Sequence, residues 1–290
     1  MLTTRTKVLL AGIAYRLISA GRRVFGKTDS VIVGRGGVRY HLNLTEGIDF
    51  SIYLLRAFER GTKRTLEKLV KPDHVVFDIG ANVGAHTLSL ARSAGPSGKV
   101  YAFEPSDFGF AKLRRNLALN PELEARTVAR QILLSASGSD PAERLIYASW
   151  PLQSVDPVHP KHRGRLVPAD HAIVDTLDDF VDRERISRLD LIKIDVDGSE
   201  FPVLKGGQKT IRRFRPILVM EISPYIHAER HHSFSDLIEL LKVAGYALTD
   251  ADHDEAVPLD SAELERLIPD GASINVIARC QRVPLPQESQ

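Results

Sequence analysis

The stretch His74–Gly84, HVVFDIGANVG, constrains this chain more than any other. Val75, Val76, Phe77 and Ile79 form a short run of β-branched and aromatic residues, interrupted by Asp78 just before a turn of Gly80, Ala81, Asn82 and Gly84. AHTLSLAR then begins a helix. A buried strand that ends in glycines and feeds a helix is the first half of a nucleotide-binding α/β unit. The glycines let a ligand approach the backbone, and the helix N-terminus offers free N–H groups. The spacing is not the GxGxxG of dinucleotide sites, because three residues separate Gly80 from Gly84. A carboxylate just before the first glycine also suits a ligand with a cationic end.

With 290 residues, 43% of them hydrophobic, the chain can build one large α/β domain and a small extension. A net charge of +2 makes no case for a nucleic-acid partner. Cys280 stands alone, which excludes an internal disulfide framework and a cysteine-built zinc site. No apolar run reaches the roughly 18 to 20 residues of a spanning helix, so a cytoplasmic protein is expected. The first 27 residues carry six positive charges (Arg5, Lys7, Arg16, Arg22, Arg23, Lys27), with no acid before Asp29. Between them Val8, Leu9, Leu10, Ile13, Leu17 and Ile18 recur at near-helical spacing. Arg16 interrupts the apolar core that a cleaved signal peptide needs. Two readings stay open: a helix packed on the main domain, or an amphipathic helix on an anionic membrane surface.

Residues 31–44 predict a β-hairpin turning at Arg35-Gly36-Gly37, and 50–70 a helix with Phe58, Leu66 and Leu69 on one face. Residues 1–60 are read as an N-terminal cap of helix and hairpin, and 61–290 as the catalytic domain. Val100–Phe103 is a second strand ending in Glu104-Pro105, with Ser106 capping the next helix. Glu104 lies 24 positions after Gly80, near the spacing of about 20 at which an acid meets ribose hydroxyls. Further strands fit Val128–Leu134, Leu189–Val196, Pro216–Ile222, Tyr246–Thr249 and Ile274–Ala278, with a helix over 199–214. Ser233 with Asp236 caps a helix that ends at Gly245. Segment 136–172, rich in proline and glycine, is read as a substrate lid around a short strand at Leu145–Ala148. Its Tyr147 and Trp150 offer stacking surface, and the tail from Pro284 is expected to fray.

DxGANxG after a strand, with an acid closing the next, resembles a class I S-adenosylmethionine (SAM) methyltransferase. TLDDF at 176–180, DLIKIDVDGSEFPVLKGG at 190–207, RPILVMEI at 215–222 and GIDFSIYLLRAFERGT at 47–62 together resemble the FkbM family of SAM-dependent O-methyltransferases. The resemblance implies a Rossmann-like, seven-stranded, mostly parallel sheet with a reversed last strand. It implies SAM as methyl donor and a hydroxyl of a saccharide, glycan or secondary metabolite as acceptor. It places Gly80, Asn82, Gly84 and Glu104 on the SAM-binding motifs and Asp195 on the acid closing the fourth strand; Asp78, Ala81, Pro105 and Ser106, beside them in the sequence, are further candidates for the SAM site. The sequence departs from the family where Asp197 replaces a usual Glu and where Ala85-His86 replace a common aromatic. His86 therefore faces either the methionine end of SAM or the helix surface.

An alcohol attacks a methyl group only once its proton is removed or its oxygen sits on a cation. Asp195 is the candidate base or metal ligand, with Lys193 on the same strand face; an architectural ion pair is the other reading. Glu200 and Glu221 are further candidates, and Asp195, Asp197 and Glu221 could hold Mg²⁺ through carboxylate oxygens. His227, Glu229 and His231 form HxExH, read as a solvated loop rather than a metal site. Two alternatives to methyl transfer remain: a catalytically silent SAM-binding or membrane-associated scaffold, and a NAD-dependent oxidoreductase, against which the missing GxG pair counts.

Overall fold

In the computed structural model, which describes residues 4–138, 144–148, 151–152, 159–161, 164–229 and 233–281, the chain opens with helix α1, Thr4–Val24. A hairpin follows, β1 (Ser30–Arg35) paired with β2 (Val38–Asn43). It turns through Gly36 and Gly37, both at positive φ (57° and 79°), as a two-residue hairpin requires. Trp150, His162, His231 and the tail from Pro284 lie outside the described residues. Among the described residues no helix is long and apolar enough to cross a membrane.

The helix expected over 50–70 is two helices, α2 (Gly47–Leu55) and α3 (Arg60–Leu69). The chain breaks between them with Arg56 and Glu59 in left-handed conformation, φ 68° and 40°. No glycine or proline marks that break, so the apolar spacing runs through it unbroken.

The central sheet begins with β3 (Val75–Ile79), followed by α4 (Thr87–Ala94), β4 (Lys99–Phe103), α5 (Asp107–Ala118) and β5 (Thr127–Arg130). The strand expected over 128–134 divides at Gln131. β5 stays in the sheet, while β6 (Ile132–Leu134) turns away. In the next segment β7 (Leu145–Ala148) pairs antiparallel with β8 (Arg165–Pro168), and β9 (Ile173–Asp175) pairs parallel with β6. Then come β10 (Leu191–Ile194), β11 (Ile217–Ile222), β12 (Tyr246–Asp250), β13 (Ala256–Val257) and β14 (Ile274–Cys280). Between β10 and β11 the expected helix over 199–214 is split at Gly206-Gly207. A Cβ on Gly206 would lie 2.1 Å from the Ser135 carbonyl oxygen, so only glycine lets the chain pass there.

Among the described residues eight strands form one sheet in the order β13-β12-β14-β11-β10-β3-β4-β5. From β5 to β11 the neighbours are parallel, and β14 runs antiparallel to both β11 and β12. The eighth strand, beyond the seven expected, is the two-residue edge strand β13, too short to leave a pattern. The strand order reverses between β3 and β10, and in such sheets ligands bind at the carboxyl ends flanking that point.

β3 is almost continuously apolar because both faces are covered. On one face Phe77, Phe103 and Phe180 stack edge-to-face, with centroids 5.4 and 4.7 Å apart for Phe77–Phe103 and Phe103–Phe180. On the other, Val76, Val100, Leu88 and Leu191 share a cluster with Tyr15, Tyr40, Leu42, Phe50 and Ile52 from the first sixty residues. Each such side chain contributes about 1.5–3 kcal/mol when fully buried. Asn116 of α5 stitches the two parts, accepting from His41 N and donating to Val83 O, each at 2.8 Å. Alternation along the strands puts Asp78, Lys193 and Asp195 on this same face. The N-terminal elements therefore wall the charged side of the sheet.

Candidate active site

After Ile79 the chain turns through Gly80, Asn82 and Gly84, all at positive φ (77°, 47° and 86°). Gly80 N and Ala81 N both donate to Phe103 O, at 3.0 and 2.9 Å, which locks the turn to the end of β4. A Cβ on Gly80 would lie 1.9 Å from the Asp195 carbonyl oxygen, so the turn admits no side chain there. Asn82 tolerates the left-handed region better than most residues, and its N–H donates to Glu104 Oε2 at 2.7 Å. Glu104 Oε1 accepts from Ser106 N at 2.9 Å and from the Ser106 hydroxyl. That hydroxyl in turn accepts from Gly109 N and caps α5. Burial pushes the Glu104 carboxyl up from its ordinary range, and the Ser106 and Asn82 donors pull against it. A carboxylate has about four acceptor sites, so three donors leave about one for a ligand.

Beneath the turn, Lys193 sits opposite Asp78 in the β10–β3 register. Its ammonium donates to Gly80 O at 2.9 Å and lies 3.2 Å from Asp78 Oδ1 and 3.5 Å from Asp195 Oδ2. Asp78 Oδ2 accepts from Thr87 Oγ1 at 2.6 Å. Burial alone would lower the Lys193 pKa, but Asp78, Asp195 and Glu59 outweigh it and hold the group above the ordinary lysine range. The ammonium therefore keeps its proton and cannot serve as a base; Lys193 clamps the turn. Asp78 is wholly buried by the same contacts and is not among the residues lining the cleft, nor are Gly84 and Ser106. These three lie behind the turn, off the cleft lining.

Glu200 also departs from expectation. The turn after β10, with Asp197 at φ 47° and Gly198 at φ 93°, leaves backbone N–H groups without strand partners. Glu200 folds back to accept from Val196 N and Gly198 N at 3.3 and 3.4 Å, and lies 3.2 Å from His227 Nε2. It is buried and off the cleft. His227 sits in the helix Pro224–Glu229, buried against Glu200 and the Phe234 ring, so it is not part of a solvated loop.

The cleft itself has a volume of about 820 Å³. Gly80, Ala81, Asn82, Glu104 and Pro105 line one end, and Asp195, Asp197, Glu221 and Tyr225 line the other. Ile146, Tyr147 and Gly164 bring in the 136–172 segment, and Glu59 and His86 face the cleft from the break before α3 and the start of α4. Glu59 Oε2 is 3.3 Å from His86 Nε2. Burial would raise the Glu59 carboxyl, but His86, Lys193 and Thr62 outweigh burial and lower it. Two buried polar atoms here, His86 Nδ1 and Asn82 Oδ1, have no hydrogen-bond partner among the described residues.

Burial raises the Asp195 carboxyl, helped by Glu59 and Glu200 and opposed by Lys193 and His86. Burial, Asp195, Glu59 and Asp197 together raise Glu221 well above its ordinary value, although the Ser273 hydroxyl donates to it. Among the described residues no three His, Cys, Asp or Glu side chains gather closely enough to hold a metal ion. Asp195, Asp197 and Glu221 share the cleft without forming an Mg²⁺ cage. The sequence reading missed Glu59, Tyr225 and Ser273, which reach the site from distant segments. Only the GIDFSIYLLRAFERGT stretch hinted at Glu59.

A family model described as the methyltransferase FkbM domain matches residues 78–248. Methyltransferase 1 of Beauveria bassiana is 29% identical over 148 residues, covering 46% of this chain and 58% of its own. The 2-O-methyltransferase NoeI of Sinorhizobium fredii is 27% identical over 197 residues, covering 59% of this chain and 77% of its own. The hexuronic acid methyltransferase AglP of Haloferax volcanii is 24% identical over 163 residues, covering 56% and 61% respectively. The chain thus spans less than two thirds of the length of the first and third of these relatives.

Proposed function

Because the match over residues 78–248 makes this chain a member of the FkbM methyltransferase family, we propose that it transfers a methyl group from SAM to a hydroxyl of a neutral saccharide or secondary metabolite. When bound, SAM would supply its own electrophile, a sulfonium methyl that passes to the acceptor oxygen as the C–S bond breaks and the thioether leaves. The residues fit that group. Glu104 keeps about one acceptor site toward the cleft for a ribose hydroxyl, and the unpartnered Asn82 Oδ1 lies beside it. Among the described lining residues, Glu59, Glu104, Asp195, Asp197, Glu221, Asp250 and Asp252 face only Arg60 and Lys193 as permanent cations. Although burial raises Glu104, Asp195 and Glu221, that surplus of acidic over permanently basic groups favours a sulfonium and opposes the pyrophosphate of NAD, which counts against the oxidoreductase alternative. It also opposes an acceptor carrying a carboxylate, unlike the hexuronic acid in the name of the Haloferax relative.

Asp195 takes the acceptor's proton. Its raised carboxyl binds a proton more readily than an exposed aspartate, and Lys193 fixes its position on the strand end. Glu221, in the same cleft, is the second candidate base. Residues 1–60 act as a cap that closes the charged face, and Tyr147 with its neighbours walls the far side against water. The observation that carries this reading is the convergence at one switch point of a donor-held Glu104 and a Lys193-held Asp195.

Labelled SAM offered with a panel of neutral and carboxylated glycans tests it. Transfer to neutral members is expected, and Asp195→Asn should lower turnover about 10²- to 10⁴-fold while leaving SAM affinity nearly intact. Turnover of the true acceptor at the parental rate would remove Asp195 from the chemistry.

A further inference from the structure

We propose that α1 docks the protein onto an anionic lipid bilayer, with the outward face of the helix lying in the headgroup boundary. The helix has two faces that do different things. On the inner one Tyr15 and Ser19 are buried, and both hydroxyls donate to Asp29 at 2.9 Å. Ala11, Ala14 and Ile18 pack on the core beside them. This face accounts for the fold.

The outer face is apolar and uncovered. Leu10, Ile13, Leu17 and Val24 are 51%, 50%, 72% and 81% exposed, and Phe25 just beyond the helix is 78% exposed. Their spacing of three, four and seven, with exposed Ala20 between Leu17 and Val24, aligns them in one stripe along the helix. Scattered exposed apolar residues need no explanation, but a continuous stripe of large ones marks a contact surface.

Charge identifies what covers it. Arg16, Arg23 and Lys27 are exposed around the stripe, and the sequence has no acid before Asp29. Asp29 is occupied by Tyr15 and Ser19; Arg23 reaches it at 3.9 Å yet keeps 70% of its side chain exposed. A second copy of the chain would bring like charges, Arg16 and Arg23, against one another across the seam, whereas a helix pair ordinarily alternates signs there. An anionic bilayer neutralises them and accepts the apolar stripe in the same contact. Leu54 and Leu55 of α2 are also exposed and line the cleft.

Co-sedimentation of the full chain with vesicles tests this. The protein should bind phosphatidylcholine vesicles that contain phosphatidylglycerol, release at high salt, and ignore pure phosphatidylcholine. Arg16→Gln with Arg23→Gln should weaken binding about 25-fold, since each basic residue near the surface contributes about fivefold, or about 1 kcal/mol. Leu17→Ser should weaken it about tenfold. All three positions are exposed, so melting temperature should not move. Failure of the parent protein to prefer anionic vesicles overturns the proposal, as does parental binding by the variants. A vesicle-independent dimer that Leu17→Ser dissociates, without vesicle binding, would assign the stripe to a second copy instead.

Discussion

The two ends of the cleft handle charge in opposite ways. At the Gly80 end each carboxylate is held by donors of the chain itself: Glu104 by Asn82 and Ser106, Asp78 by Lys193 and Thr87. At the Glu221 end burial leads, and Asp195, Glu59 and Asp197 add to it, lifting Glu221 well above its ordinary value. The first arrangement fixes geometry before a ligand arrives. The second leaves groups with altered proton affinity, which is what proton transfer needs.

The contrast breaks most sharply at Lys193. Lys193→Met leaves Asp78 buried and charged without a cation, and should cost about 3–5 kcal/mol in denaturant unfolding. Adding Asp78→Asn should restore most of that loss. If Lys193→Met costs under about 1 kcal/mol, close to what an exposed ion pair contributes, the clamp beneath the turn is not what holds the Gly80 end together.

A smaller effect sharpens the other end. In the folded state Glu221 keeps its proton to a higher pH than in the unfolded chain. Its contribution to stability is therefore complete below the ordinary carboxylate range and is lost as pH rises through the raised value. Glu221→Gln cannot ionise, so it should melt a few degrees above the parent at pH 8 and alongside it in mild acid. Equal melting temperatures at both pH values would mean that Glu221 is not under electrostatic stress.

The two ends also differ in how far they were legible in the sequence. Gly80, Asn82 and Glu104 lie within one strand–turn–helix–strand unit, where local spacing fixes which atoms meet. The Glu221 end is assembled from Glu59, Asp195, Glu221, Tyr225 and Ser273, and no local period links residues that far apart. Glu59 was obscured further by the break at Arg56–Glu59, where left-handed residues interrupt a helical pattern without a glycine. Glu200 shows the converse. It belongs to the right neighbourhood, but a strand-end turn with unpaired N–H groups claims its carboxylate first. The sheet was read nearly whole, because β3, β10 and β11 are apolar enough to declare themselves, whereas β13 has only two residues.

Calorimetric titration of SAM into the parent protein and into Glu104→Ala tests most directly whether the Gly80 end is the cofactor site. The parent should bind SAM and show no comparable affinity for NAD. The folded Glu104→Ala variant should bind SAM at least about tenfold more weakly, because a buried ribose hydroxyl loses its charged acceptor at about 1–3 kcal/mol. A folded variant that binds SAM as tightly as the parent would contradict the assignment of that end to the cofactor.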